Sequence, residues 1–204
     1  MTDQFFDKVY TARSPDETRD LYDAWSGSYD TDVTGNGYAT PKRCAEALAR
    51  QIGDLTTPVL DFGCGTGLSG KALAAAGFQT IDGVDLSADM LAVAQDKGIY
   101  RHLRQISAGA SPVDTPGAYF AIAAIGVIGA GAAPISVFDT LMDALPKDGM
   151  LVLSFNDHAL AEPANEGRLS EWMDCGAAHL LFKEYGPHLP GIGLKSNVYV
   201  LAKA

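Results

Sequence analysis

Cysteine is scarce: Cys44, Cys64 and Cys175 are the three among 204 residues, widely spaced and without a C-x-x-C pair. An odd, scattered set argues against a disulfide framework and a zinc site, so no metal is expected. Basic residues are also few. Fifteen Lys and Arg stand against 25 Asp and Glu, a net charge of −10. Such a surface repels phosphate backbones, which argues against nucleic acid as a partner. The longest apolar run, Ala118 to Ala133, is glycine-rich and short of a bilayer span, so no membrane partner is expected. The opening Met1-Thr2-Asp3-Gln4 lacks the basic and apolar pattern of a secretion signal, and the expected location is the cytoplasm. No repeat or linker stands out, and the length suits one domain with a proper core.

What is present centres on Val59-Leu60-Asp61-Phe62-Gly63-Cys64-Gly65-Thr66-Gly67-Leu68-Ser69-Gly70. Val59, Leu60 and Phe62 suit a strand covered on both faces. Asp61 is expected near the strand's end, where side chains meet solvent. Glycines at 63, 65 and 67 permit a tight turn and leave no side chain in a ligand's way. Leu68, Ala72, Leu73 and Ala76 then repeat at helical spacing. A second apolar strand, Thr80 to Val84, closes on Asp85, whose carboxylate can accept both hydroxyls of a ribose. Two nucleoside-binding readings fit. Gly65 to Gly70 matches the dinucleotide fingerprint G-x-G-x-x-G, which implies an NAD(P)-dependent oxidoreductase but leaves Asp61 and Gly63 unexplained. Read from Asp61, the pattern is D-x-G-x-G-x-G.

The second pattern resembles motif I of the class I S-adenosylmethionine-dependent methyltransferases, with Asp85-Leu86 similar to the acid that follows it. Tyr22 to Val33 further resembles the opening "YDxWAxxYDxDV" of a subgroup that includes the methyltransferase-like protein of the Williams-Beuren region. "LPKDGMLVLSFN", "NDHAL", "KEYGPHLPG" and "KSNVYVL" extend the resemblance over nearly the whole chain. It implies a Rossmann-like α/β fold: seven strands, mostly parallel, the last antiparallel, with helices on both faces. It also implies S-adenosylmethionine as cofactor and S-adenosylhomocysteine as product. Asp61, Gly63, Cys64, Gly65, Thr66, Gly67, Asp85 and Leu86 would form the cofactor site. Met90, Ser107 and the turn Gly126-Val127-Ile128 would complete it. Residues 1–40 would be a helical lid ahead of a core at 41–204, with Tyr29 against the methionine end of the cofactor. Cys64 is read as a small loop residue rather than a nucleophile.

Two departures from the family pattern stand out. Ser107 occupies a position where the family often has an acid, and Phe120 replaces another. A regulatory protein that holds the cofactor without catalysis therefore remains a rival. The fourth strand's end lacks the D-P-P-Y or N-P-P-Y signature of enzymes that methylate nucleic-acid amines, which favours a small-molecule acceptor. Methyl transfer from a sulfonium needs positioning more than acid–base machinery, so no triad is expected. His158 and His188, expected in loops after the fifth and sixth strands, are the candidates for a base. Trp25, Asn156 and Lys195 join them as candidate acceptor contacts. Oligomeric state is not legible.

Overall fold

The computed structural model describes residues 14–129 and 131–204, so the first part of the expected lid, residues 1–13, lies outside the described residues. Eight helices are described: α1 (Pro15–Trp25), α2 (Tyr29–Gly35), α3 (Thr40–Gln51), α4 (Leu68–Ala75), α5 (Ala88–Asp96), α6 (Ser136–Ala144), α7 (Asp157–Leu160) and α8 (Pro163–Asp174). Strands β1 (Val59–Phe62), β2 (Ile81–Asp85), β3 (His102–Gln105), β4 (Ala121–Ala124), β5 (Met150–Asn156), β6 (Ala178–Leu189) and β7 (Leu194–Lys203) form one sheet in the order β3-β2-β1-β4-β5-β7-β6. The first five are parallel, and β7 runs antiparallel to both neighbours. The expected mixed sheet with its reversed last strand is what the structure contains.

Strand alternation splits the core into two layers. Val59, Ala123, Val152 and Val200 meet Cys44 and Leu48 of α3 and Leu73 of α4. Leu60, Ile122, Leu151 and Phe155 meet Phe138 and Leu141 of α6 and Leu169 of α8. Helix starts follow local chemistry: Ser14 accepts the Glu17 amide ahead of Pro15, and Ser87 accepts the Met90 amide. A third cluster holds Trp25, Val33 and Leu189, so the first two helices rest on the sheet's end rather than on either face.

Three boundaries differ from the sequence reading, each for a local reason. The fourth strand, expected over 119–128, stops at Ala124 because Gly126 takes a φ of 72° and turns the chain. The third, expected over 99–107, is trimmed to His102–Gln105 on an exposed sheet edge. The expected loop at 186–193 is mostly strand. Gly186 pairs with Ser196, Leu189 pairs with Leu194, and only the turn Pro190–Ile192 joins β6 to β7. Pairing thus carries His188 into the sheet.

The strand order reverses between β1 and β4, the place where open α/β sheets bind ligands. Phe138 anchors α6 beneath that point, fully buried and edge-on to Trp172 at 5.9 Å. Phe138→Ala is expected to lower stability by about 3–5 kcal/mol, measured by urea unfolding.

Candidate active site

The glycine loop is built by sterics. Gly63, Gly65 and Gly67 have φ values of 68°, 52° and 93°, a region that costs other residues strain. A Cβ on Gly63 would lie 2.5 Å from Val127 Cγ2, so the tips of β1 and β4 touch only because residue 63 has no side chain. A Cβ on Gly65 would meet nothing within 4 Å; it would project into open space. That space is a cavity of about 480 Å³, within the range of small-molecule sites. Gly63, Cys64, Gly65 and Thr66 form one side. Asp85, Leu86, Met90, Ile106 and Ser107 form another. Gly126, Val127 and residues of α1 and α6 close it.

Asp85 ties the loop to the next helix. One carboxylate oxygen accepts the Gly65 amide at 2.8 Å, and the other accepts the Ser87 amide at 2.9 Å. Burial pushes the carboxyl's pKa up, and these amides pull it back. A carboxylate has about four lone-pair sites, more than the Gly65, Ser87 and Leu86 amides fill, so it retains capacity for a sugar hydroxyl. Leu86, Met90 and Ile106 add the apolar wall a flat base needs.

Helix α2 is pinned over the loop by charge. Asp30 accepts the Thr66 hydroxyl at 2.5 Å and pairs with Lys97 at 2.6 Å, while Lys97 also donates to the Thr66 carbonyl. From α1, Asp23 accepts the Ser87 hydroxyl. Tyr22, Trp25 and Tyr29 pack as an aromatic group, with the Trp25 and Tyr29 rings 4.8 Å apart and edge-on. Trp25 is fixed by its indole N–H on Asp32 at 2.8 Å.

A smaller chamber of about 60 Å³ adjoins the main cavity across shared walls of Tyr22, Tyr29, Tyr38, Gly126 and Ala132. Trp25, Ile128, Ser154, Asn156 and His188 line its far side. Burial pushes the His188 imidazole down to about 4, so the ring is neutral at neutral pH. Burial likewise drives the Cys64 thiol and the Tyr29 hydroxyl well above their ordinary values, and both stay protonated.

A methyltransferase domain model matches residues 37–186, most of the chain. The chain belongs to the methyltransferase domain family. Human methyltransferase-like protein 27 is 33% identical over 124 residues, a match that covers 59% of this chain and 51% of that protein; the matched region spans about half the length of this relative. Among solved structures, the [4+2]-cyclase SpnF superposes with a TM-score of 0.70 at 16% identity, covering 94% of this chain and 97% of that one. The 1,6-didemethyltoxoflavin-N1-methyltransferase of Burkholderia thailandensis, solved with 1,6-didemethyltoxoflavin and S-adenosylhomocysteine, gives 0.65 at 18% identity over 94% and 91%. At such identities the two structures speak for the fold alone.

Within this methyltransferase frame, the cavity gathers Tyr29, Gly63, Cys64, Gly65, Thr66, Asp85, Leu86, Met90, Ser107, Gly126 and Val127. Trp25, Ile128, Asn156 and His188 line the adjoining chamber. Gly67 lines neither; it caps α4, and its φ and the Tyr100 ring 3.1 Å from a would-be Cβ account for the glycine. Asp61 corrects the expectation of a solvent-facing acid. It is fully buried and lines neither space, because its strand position points it under the loop. There Oδ2 accepts the Ser69 hydroxyl at 2.6 Å and the Tyr100 hydroxyl at 2.7 Å. Tyr100 in turn accepts the Gly70 amide, so the last glycine of the dinucleotide fingerprint serves packing on Tyr100. His158 and Lys195 are exposed and line neither space. Among the described residues no cluster of side chains could hold a metal ion, and no helix is long and apolar enough to cross a membrane.

The sequence reading missed Tyr38, which touches both spaces, as well as Tyr100 and the Asp30–Lys97 clamp. Asp30 lies within the Tyr22 to Val33 stretch but carries no expected role there; Tyr38, Tyr100 and Lys97 sit in no motif, and the fold brings them in from a distance.

Burial holds the Asp61 carboxyl at about 7, against the two hydroxyl bonds that lower it and with the nearby Asp85 charge raising it further. The folded chain therefore keeps a proton that the unfolded chain loses near about pH 4. Stability contributed by this group falls as pH rises from about 4 to about 7 and levels above. Asp61→Asn removes that dependence. Unfolding midpoints of the two proteins, measured across this range, are expected to differ by an amount that changes with pH inside the window and is constant above it.

Proposed function

We propose that this chain is an S-adenosylmethionine-dependent methyltransferase acting on a small molecule. One observation carries the reading: a cavity cradled by a side-chain-free loop and the Asp85 carboxylate shares walls, Gly126 and Tyr29 among them, with a second chamber that has polar groups of its own. The residues fit the cofactor. Gly65 leaves the space that a side chain would fill, and Asp85 retains acceptor capacity for a ribose hydroxyl. Leu86, Met90 and Ile106 would flank a base, with Ser107 offering a hydroxyl beside them. Tyr29 and Gly126 line both spaces, and Val127 lines the larger one. The bound sulfonium supplies a methyl group that is already activated. The protein's part is to orient the acceptor and exclude water.

Residues 1–40 act as a lid in this reading. Support comes from the described part: Asp23 and Asp30 fasten α1 and α2 to the residues around the loop, and the Tyr22–Trp25–Tyr29 group shields the junction of the chambers. A small-molecule acceptor is favoured by the narrow inner chamber and by the net charge of −10. The toxoflavin-type neighbour shows a small-molecule methyltransferase on this fold, and the cyclase shows that the fold does not dictate the reaction.

Incubation with tritiated S-adenosylmethionine and fractionated metabolites tests the reading, with label expected in a small-molecule fraction. Tight cofactor binding with no labelled product from any fraction would instead favour the regulatory rival. Asp85→Ala is expected to weaken S-adenosylhomocysteine binding more than about tenfold in calorimetry, since hydrogen bonds to a charged group contribute roughly 1.5–3 kcal/mol. Unchanged affinity would remove Asp85 from the site.

A further inference from the structure

Behind the inner chamber runs a line of hydrogen bonds that methyl transfer as such does not require. Arg43 Nη1 donates to Ser196 Oγ at 3.1 Å. A guanidinium has no acceptor, so the direction of this bond is fixed. Ser196 is fully buried, and its own hydroxyl hydrogen has one acceptor among the described residues, Thr40 Oγ1 at 2.9 Å. Thr40, having accepted there, gives its hydrogen to His188 Nδ1 at 2.8 Å. The opposite polarity would send a hydrogen from Nδ1 to Thr40 and from Thr40 to Ser196. It would leave the Ser196 hydrogen buried without an acceptor, an arrangement proteins avoid. Nδ1 is therefore the acceptor nitrogen, and the ring's proton sits on Nε2, which makes no hydrogen bond among the described residues.

We infer that His188 is locked as the Nε2–H tautomer and offers the inner chamber a hydrogen-bond donor, which selects a planar methyl acceptor bearing a carbonyl oxygen or an aromatic ring nitrogen. The inference deepens the methyltransferase reading and rests on it for the acceptor. His188 thus contributes recognition rather than proton abstraction: a neutral ring whose Nδ1 is already occupied by a hydroxyl hydrogen has no lone pair left for a base. A flat acceptor suits the aromatic walls: Tyr38 meets the His188 ring edge-on at 5.3 Å, and Trp25 and Tyr29 line the same chamber. Thr40, Ser196 and Arg43 are positioning residues. Arg43 is itself held by Glu184 and by the Pro187 carbonyl, so the far end of the line is fixed to β6. The charged and titratable groups around the ring are Arg43 on α3, Asp157 and His158 on α7, and Tyr38 ahead of α3. Burial and the Arg43 and His158 charges oppose protonation more than Asp157 favours it.

Nitrogen NMR of the full chain with isotope-labelled histidine tests this directly, the His188 signals being assigned by their loss in His188→Gln. Wild-type protein is expected to show a protonated Nε2 and an unprotonated Nδ1, unchanged from about pH 8 to about pH 5, below the ordinary histidine midpoint of about 6.5. Thr40→Val removes the fixed donor, and an Nδ1–H population is expected to appear. A protonated Nδ1 in the wild type, or an imidazolium near neutral pH, overturns the assignment. With S-adenosylhomocysteine present, saturating benzamide is expected to move the Nε2 resonance, and benzylammonium, which can only donate, is expected to leave it in place. The reverse pattern, or no response to benzamide, overturns the recognition claim. Calorimetry with S-adenosylhomocysteine on the same sample separates the two readings. Cofactor binding with the wrong tautomer sinks only the His188 assignment, and the expected tautomer without cofactor binding sinks only the methyltransferase reading.

Discussion

The approach of β4 to β1 at the point where strand order reverses is the constraint on which the rest depends. Val127 can lie against the first loop only because residue 63 carries no Cβ, and that contact sets the width of the crevice between the strand tips. The same economy recurs one layer out, where the Tyr38 hydroxyl would come within 2.7 Å of a Cβ on Gly126. Gly63 thus shapes a wall of the large cavity, and Gly126 a wall that the large cavity shares with the small chamber. Packed interiors do not deform smoothly, so a methyl group at either position would have to displace a strand tip or a ring.

Beneath the glycine loop lies a buried polar node rather than an apolar floor. Asp61 gathers hydroxyls from α4 and from the segment before β3, while Tyr100 returns a bond to the Gly70 amide. One oxygen of the carboxyl has no partner among the described residues, which is costly for a buried charge and explains why burial drives the group toward its neutral form. The node joins three elements that the glycine loop alone would leave loosely connected. It orients the loop without touching what the loop holds.

The fold and the outline of the cavity were legible because they rest on signals local to the chain. Alternating glycines, apolar strands ending in acids and caps at Ser14 and Ser87 state their conformations within a few residues. Asp61 was misread as solvent-facing because strand period gives the face of a side chain but not the depth at which the strand ends. His188 was assigned to a loop because Gly186, Pro187, Pro190 and Gly191 mark turns, yet pairing with β7 holds the first half of that run extended. Tyr38, Tyr100 and Lys97 left no local trace, and Asp30, though inside the Tyr22 to Val33 stretch, did not announce its partners. Their positions follow from tertiary packing of helices that cross the sheet's end, and spacing along the chain says nothing of that.

Protonation ties these parts together. Around the two spaces, Cys64 and Tyr29 keep their protons and His188 stays neutral, each chiefly because burial penalises its charged form. With those three groups uncharged, the site is poorly equipped to pull a proton from a substrate through them and better equipped to orient one through a fixed donor and aromatic walls. Charge stands in the Asp85 carboxylate at the loop, in the Asp30–Lys97 clamp over it and in Arg43 at the outer end of the His188 line. That division suits a reaction in which the transferred group arrives activated and the acceptor brings its own lone pair: the charged groups fix the walls, and the neutral ones fix the angle of approach.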